Sequence, residues 1–279
     1  MKRTLIACVL TICSSATAHA AIITFTVDPS RSSLSLNAQT LLGGSSLPTT
    51  PQAANSLTTT YTGTLTVDVE SGNAPTVQIL TGSQLIAGNS GNWLPGTDYT
   101  DYLNVPNAQS TYLTQPVAAN YGLITDLSSL PGGGAVNGVS GESPSAIRNL
   151  VIGLADYTAK AVLGDGTFNA AGTATDFLSG MVFYSSGGNP PVTDMVNTLS
   201  SQPTQALGDS ASLVTAGNVT TLTLPISIET DYFVNFLLLK QTLSGTIVAT
   251  YTSVPEPGTL ALVGMAAFGL LRRRRSLSA

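Results

Sequence analysis

The sequence has very little cysteine and histidine. Of its 279 residues, the two cysteines (Cys8, Cys13) and the single histidine (His19) all lie within the first 20. A mature protein without that segment has no disulfide, no cysteine nucleophile, no Ser-His-Asp triad and no histidine or cysteine metal ligand. We therefore predict no catalytic residue, no metal site and no cofactor. Burial and hydrogen bonds alone must stabilise the rest of the chain, which is long enough for a substantial core.

Charged residues are also scarce, at 9% of the chain. Residues 21–253 contain 14 acids and four bases (Arg31, Arg148, Lys160 and Lys240), so this body has a formal net charge of −10. Such a charge disfavours binding to nucleic acid or to an anionic membrane surface. Serine, threonine, asparagine, glutamine and glycine must cover most of the surface instead, as they do in many secreted β proteins.

The first 20 residues have the order of a cleavable signal peptide. They comprise a cationic start (Lys2, Arg3), an apolar segment (Thr4 to Ile12) and small residues at a cleavage site (Ala18, Ala20). We predict export through the Sec translocase and cleavage after Ala20, outside the cytoplasm. The sequence LIAC, ending at Cys8, also allows a lipoprotein signal, but the apolar segment continues past that cysteine.

The body, residues 21–253, alternates apolar and polar residues with a period of two, which is typical of β-strands with one buried face. The clearest run is TTTYTGTLTVDVE (Thr58 to Glu70). Similar runs begin at Ala21, Ser32, Ala146, Ser179, Val219 and Ser244, and turn sequences rich in glycine, asparagine, aspartate and proline separate them. The sequence predicts an all-β fold, either an antiparallel β-sandwich or a β-barrel.

Three details of this body carry separate predictions. The strands YTGTLTVDV (from Tyr61) and LSGTIVATY (from Leu243) are alike, and their pairing would close the sheet, although strand composition alone also explains the likeness. Residues 84–137 have few strand runs, which indicates a long loop or a small insertion. The best candidate for a short helix begins at Val192.

The C-terminal segment from Val254 to Arg275 combines a triplet, an apolar run and a basic cluster. The triplet is Pro255-Glu256-Pro257, the uncharged run covers residues 258–271, and the cluster is Arg272, Arg273, Arg274 and Arg275. The run is about 21 Å long as a helix, short of a hydrocarbon core of roughly 30 Å, but the flanking residues can extend it. We predict a transmembrane helix with its arginines in the cytoplasm and the body outside.

This arrangement resembles the PEP-CTERM sorting signal of Gram-negative bacteria in its triplet, its order and its position at the end of the chain. The resemblance covers residues 254–275. It implies that the chain is a substrate of an exosortase, a membrane-embedded, cysteine-transpeptidase-like enzyme that processes such chains near the triplet. Such bacteria make exopolysaccharide and biofilm matrix. The implied route is an inner-membrane-anchored intermediate followed by the cell surface or the extracellular matrix.

The body offers one candidate sugar-contact loop, GNWLPGTDYTDY (Gly91 to Tyr102). It combines aromatic rings and carboxylates, namely Trp93, Asp98, Tyr99, Asp101 and Tyr102. Aromatic faces and carboxylates are the groups of sugar-binding surfaces, and two acids on either side of a bond hydrolyse glycosides. Asp98 and Asp101 are close neighbours on one loop, so an ordinary turn explains them as well.

Other polar groups have simpler explanations. GDGTF, from Gly164, contains the Asp-Gly of a calcium loop without its further regularly spaced oxygens, so we predict a hairpin turn. Glu229 and Asp231 follow a strand run and indicate a solvated strand end. Arg148 either supports a loop by pairing with an acid or is solvated.

The first strands, FTVDPSRSSLSLNA and TYTGTLTVDVE, also resemble those of lipocalin-like periplasmic polyisoprenoid-binding proteins, which implies a barrel with an apolar interior. Three hypotheses follow. The first is a non-enzymatic surface or matrix protein associated with exopolysaccharide. The second is a carrier of an apolar ligand, and the third is a polysaccharide-active enzyme that uses paired carboxylates.

Overall fold

The computed structural model describes residues 20–95, 116–128, 141–184, 192–196, 204–205, 210–234 and 237–253. Most of these residues are in antiparallel strands, so the all-β prediction is confirmed. The strands are β1 (Ala20–Val27), β2 (Ser33–Leu42), β3 (Ser45–Leu47), β4 (Thr49–Pro51), β5 (Thr58–Glu70), β6 (Thr76–Ile79), β7 (Ser83–Ala87), β8 (Gly91–Trp93), β9 (Val117–Ala119), β10 (Tyr121–Asp126), β11 (Glu142–Ala155), β12 (Lys160–Ala161), β13 (Thr167–Phe168), β14 (Ala174–Tyr184), β15 (Val192–Asp194), β16 (Thr204–Gln205), β17 (Ala211–Ala216), β18 (Val219–Val234) and β19 (Leu237–Thr252).

Eight strands form a closed circuit of pairings. In order around it they are β1, β5, β6, β12, β13, β17, β18 and β19, and β19 pairs again with β1. A single bridge between Val162 and Phe168 joins β12 to β13. Each strand of the circuit therefore has a partner on both sides, which is the arrangement of a barrel rather than of two open sheets.

The remaining strands of the large sheet pair with the strands of this circuit or with one another, and we call the complete large sheet the wall. β2 lies between β5 and β19, and β7 joins β5 to β11, which pairs further with β10 and β14. A separate two-stranded sheet of β8 and β9 lies against the outer face of this wall.

The core lies inside the wall and follows the predicted alternation. On β5 the inward residues Tyr61, Leu65 and Val67 are fully buried, and the residues between them are exposed or half-buried. One continuous cluster contains the inward side chains of β1, β2, β5, β7, β11, β14, β18 and β19. Burial of this apolar surface is the main source of stability in a chain without disulfides in its described part.

A bulge in β11 changes which side of the strand faces the core. Ile147 is buried before the bulge, and Leu150 and Ile152 are buried after it. The register with β14 shifts between Arg148 and Val151, and Asn149 has φ of +55°. Because successive strand residues point to opposite faces, the extra residue keeps apolar side chains inward along the whole strand.

Two core tyrosines form a buried hydrogen-bonded pair. The hydroxyl oxygens of Tyr61 and Tyr121 are 2.9 Å apart, and the Tyr121 hydroxyl donates to the carbonyl oxygen of Leu34 at 3.2 Å. Burial raises the pKa of both phenols well above the usual value, because the low-polarity core disfavours the phenolate.

The tyrosine pair predicts a loss of stability at alkaline pH. Above about pH 10 the unfolded chain releases phenol protons that the folded chain retains, so the free energy of unfolding falls by up to about 1.4 kcal/mol per pH unit for each tyrosine. Urea unfolding between pH 8 and 11.5 measures this slope. Tyr61→Phe should reduce the slope, whereas Tyr157→Phe, at a side chain that is 85% exposed, should not. Equal slopes in both variants would contradict a titrating core pair.

The structure corrects three sequence predictions. The helix predicted from Val192 is wrong at its start, because Val192–Asp194 is β15 and pairs with β14. The predicted loop at residues 84–137 contains β7 and β10, two short strands of the main wall, and among its described residues β8 and β9 form a small insertion. The similar strands β5 and β19 do not pair directly, because β1 and β2 lie between them.

Candidate functional site

The predicted sorting tail begins at one end of the closed circuit. Ser253, the residue after β19, donates from its backbone N–H to the carbonyl of Asn218 at 2.8 Å. β1 runs antiparallel to β19, with Val27 opposite Ala249, so the start of β1 and the end of β19 lie at the same end. We call this end, marked by Ala20, Asn218 and Ser253, the tail pole.

Both predicted membrane segments join the body at the tail pole. The predicted signal peptide ends at Ala20, the first residue of β1, and the predicted tail follows Ser253. Ala18, the triplet Pro255-Glu256-Pro257, the apolar run 258–271 and Arg272 to Arg275 lie outside the described residues. In the part of the chain that the structure describes, no helix has the length and hydropathy to cross a membrane.

Of the five candidate sugar-contact residues, only Trp93 lies in the described part of the chain. Trp93, on β8, is half-buried, and its indole N–H donates to the Ser90 hydroxyl at 2.8 Å. Its side chain packs so closely on Gly122 that a Cβ there would lie 2.5 Å from Trp93 Cγ. One side of the Trp93 indole ring is therefore covered by Gly122. Asp98, Tyr99, Asp101 and Tyr102 lie outside the described residues.

Two polar side chains hold the segment after Trp93 against the wall. Arg148 is 7% exposed, donates to the carbonyls of Trp93 and Pro95, and has its Cζ 4.2 Å from the ring centre of Phe183. Gln52 donates to the carbonyl of Leu94 at 2.6 Å and accepts from its N–H at 2.9 Å. Arg148 supports a loop, as predicted, although the contacts shown are with backbone carbonyls rather than with an acid. Its solvated alternative is wrong, because the side chain is buried.

A buried acid that sequence analysis missed organises the end of β11. Asp156 accepts hydrogen bonds from the backbone N–H of Ile79 at 2.9 Å and from the Thr173 hydroxyl, and Lys160 Nζ lies 3.3 Å from its carboxylate. Lys160 also donates to the carbonyl of Ala171 at 2.6 Å. Through these contacts the carboxylate connects the end of β6 with the segments after β11 and before β14, which is a structural role. Its only sequence signal is an acid directly after an apolar strand.

The GDGTF segment is a hairpin turn, as predicted. Asp165 Oδ1 accepts from the Thr167 N–H at 2.9 Å and from its hydroxyl at 2.7 Å, and these bonds lower the pKa of Asp165. The backbone then pairs Leu163 with Thr167 across the turn. In the described residues, no group of three or more acids, histidines or cysteines is placed to hold a metal ion.

An open cleft of about 420 Å³ lies beside the end of β11. It is bounded by the turn before β7, by Leu154 to Tyr157 and by the start of β14. Its lining includes the exposed side chains Tyr157, Asp176 and Leu178, with a single carboxylate at Asp176. It therefore lacks the second acid that glycoside hydrolysis needs.

A second open cleft, of about 580 Å³, lies on the outer face of β2, β18 and β19. Its floor consists of outward side chains, namely Asn37, Gln39, Glu229, Asp231, Lys240 and Thr242. The segment Ser46 to Thr49 forms one edge. We call this site the polar cleft. Glu229 and Asp231 are exposed, as predicted, and Asp231 forms an ion pair with Lys240 at 3.2 Å. They do not lie at a strand end, because β18 continues to Val234.

Comparison with family models finds the PEP-CTERM protein-sorting motif at residues 253–275. No curated protein and no solved structure matches the chain. The predicted likeness to lipocalin-like polyisoprenoid-binding proteins is therefore not shown. The motif implies an exported protein that passes through a membrane-anchored intermediate before display at the cell surface, and the chain carries, after its last strand, the sorting signal of an exosortase substrate.

Proposed function

We propose that the chain is a non-enzymatic protein of the bacterial cell surface that associates with the exopolysaccharide matrix after its tail has been processed by an exosortase. The observation that carries this proposal is the PEP-CTERM motif directly after the last strand of a closed β fold. The Sec translocase exports the chain, and the apolar run 258–271 holds it in the inner membrane until processing.

The position of the two ends supports this route. Because Ala20 and Ser253 both lie at the tail pole, the body can fold outside the membrane while it is attached at one end only. Cleavage in the tail would remove no strand of the circuit, since β19 ends at Thr252. The processed protein therefore keeps its core.

The surface of the body supports association with polysaccharide rather than with anionic partners. Outward positions of the main strands carry hydroxyl and amide groups, as in the pairs Ser35–Thr58 and Thr215–Thr220, whose hydroxyl oxygens are 2.9 and 3.0 Å apart. The formal net charge of −10 over residues 21–253 repels nucleic acid and anionic lipid.

The carrier hypothesis has less support. It requires an apolar cavity inside the wall, but the inward side chains of the described strands pack together in one cluster that includes Phe25, Tyr61 and Tyr121. Such packing argues against a large apolar cavity among the described residues. Both clefts described above are open to solvent.

The enzyme hypothesis rests on Asp98 and Asp101 alone. Among the described acids, Asp156 is bound within the fold, and Asp231 forms an ion pair with Lys240. We expect replacement of both Asp98 and Asp101 by asparagine to leave glycan turnover unchanged.

Fractionation of the producing bacterium tests the proposal. We expect the native protein, without its C-terminal run by intact mass, to be recovered with the extracellular polysaccharide. In a strain that makes no exopolysaccharide, it should be released into the medium, because the partner that retains it is missing. Full-length protein in the inner membrane of both strains would contradict the proposal and favour an anchored periplasmic domain.

A further inference from the structure

The polar cleft is built by the register of three neighbouring strands. Thr242 on β19 lies opposite Asn37 on β2 and Glu229 on β18, and Lys240 lies opposite Gln39 and Asp231. Cross-strand partners on the same face are about 5 Å apart, so six polar side chains form a grid two residues long and three strands wide. Strands from distant parts of the chain thus place donors and acceptors at regular spacing.

Several of these groups are available to a ligand. Within the described part of the chain, the side chains of Asn37, Glu229 and Thr242 have no hydrogen-bond partner. Gln39 donates to the Ser46 hydroxyl at 3.1 Å, and this bond leaves its carbonyl oxygen as an acceptor. The ion pair of Lys240 and Asp231 is half exposed, and side chains in such pairs can turn to other partners at little cost.

The chemistry of the grid fits sugar hydroxyls. A hydroxyl both donates and accepts, and the grid offers carboxylate acceptors, amides that do both, and one ammonium donor. Hydrogen bonds from hydroxyls to a carboxylate are shorter and stronger than those between neutral groups. The volume of about 580 Å³ lies within the range of small-molecule sites.

The charge of the cleft selects among polysaccharides. Two carboxylates and one ammonium leave a formal charge of −1 in a body that is itself acidic. A polymer of uronic acids or one with sulfate groups would be repelled. The cleft therefore suits a glycan without acid groups.

The cleft also lies far from the tail pole. Lys240 is near the start of β19 and Thr252 is at its end, a separation of roughly 40 Å at about 3.3 Å per residue. A body attached through its tail thus keeps the cleft away from the attached end. The same face stays available before and after processing.

From these observations we propose that the polar cleft binds a hydroxyl-rich glycan without acid groups, through Asn37, Glu229 and Thr242. The inference rests on the proposed function only in taking this glycan to be a matrix polysaccharide. Binding itself is a property of the folded body.

Direct binding of the purified protein tests the proposal. The probes are neutral hexose oligosaccharides, hexosamine oligosaccharides, uronic-acid oligosaccharides and the polysaccharide isolated from the matrix of the producing bacterium. We expect binding to at least one probe without acid groups and none to the uronic acids. Asn37→Ala combined with Glu229→Ala should weaken that binding at least tenfold, because three groups are reduced to one.

Control variants distinguish a specific effect of the polar cleft from a general effect of removing exposed polar side chains. Thr64→Ala combined with Gln84→Ala removes two exposed polar side chains that lie opposite each other on β5 and β7, and it should leave affinity unchanged. Glu229→Gln keeps the shape and should lower affinity less than Glu229→Ala. Thermal unfolding of each variant shows that the fold is retained.

Three results would overturn the proposal: no binding to any probe, equal or tighter binding to uronic acids, or equal affinity of the cleft and control variants. Removal of the tail and display at the cell surface are measured separately from glycan binding. The Asn37→Ala, Glu229→Ala protein should still lose its tail and reach the surface. A variant that is processed normally and still held by the matrix would refute the cleft while leaving the proposed function intact.

Discussion

Deletion of Pro255 to Pro257 should leave the chain uncleaved in the inner membrane and lower the amount at the cell surface at least tenfold. The apolar run and the arginines remain, so the predicted anchor is retained, but the triplet of the sorting motif is lost. Proline cannot continue a helix, so the triplet sequence favours an extended segment, and Glu256 is the single acid of residues 254–275. Intact mass and membrane fractionation measure both effects.

Single substitutions refine this result. Glu256→Ala keeps both prolines and should also block processing if the carboxylate is recognised. Glu142→Ala removes an exposed acid at the start of β11 and should be sorted normally. If the native protein and the deletion variant both kept the apolar run and fractionated alike, the triplet would be incidental and the segment an ordinary C-terminal anchor.

The largest loss of stability is expected at two glycines within strands. A Cβ at Gly63 would lie 2.1 Å from the carbonyl oxygen of Gln84, and one at Gly245 would lie 2.2 Å from that of Ser33. Both residues also have positive φ, at +129° and +156°. Gly63→Ala or Gly245→Ala should therefore lower the free energy of unfolding by about 3–5 kcal/mol, since backbone in the paired strands must move.

Gly82→Ala is the matched control for this prediction. Gly82 has φ of +93° and no atom within 4 Å of the added Cβ, so it carries the backbone strain without the collision. We expect a loss of about 1–2 kcal/mol there. Urea unfolding of the three variants gives the comparison, and equal losses at all three positions would show that close approach of the strands is not the cause.

Gly63 and Gly245 explain why the sequences of β5 and β19 are alike. A Cβ at Gly63 would collide with the backbone of β7 at Gln84, and one at Gly245 would collide with the backbone of β2 at Ser33. Such a close approach of the neighbouring strand leaves no room for a side chain. The likeness thus comes from a shared steric requirement and not from direct pairing.

The strands themselves were predictable because alternation is a local property. The run Thr58 to Glu70 coincides with β5, and the runs from Ala21, Val219 and Ser244 lie within or next to β1, β18 and β19. The short strands β7 and β10 were missed because a few residues give too little periodicity. The strand β15 was missed although Val192 and Thr193 favour a strand, because three residues show no periodicity and the pairing with β14 is a tertiary contact.

The candidate site was likewise predictable only in part. Trp93 was identified by its residue type, but its packing on Gly122 depends on a contact between different strands. Asp156 and the polar cleft were not recognised as sites, because their partners come from Ile79, Thr173 and three strands distant in sequence. In the sequence, Glu229 and Asp231 are only two acids after a strand run. The structure places β2 and β19 beside them and so makes them part of the cleft.

The sequence by itself determined the route of this protein and its class of fold. A sorting signal is recognised as a linear segment by other proteins, and strand periodicity is written in neighbouring residues, so neither needs a tertiary structure. Only the tertiary structure decided how the sheet closes and where the polar cleft lies. The hydroxyl of Ser32 and the backbone of Val248 exchange hydrogen bonds across 216 residues, and such contacts follow from strand register, which no local pattern specifies.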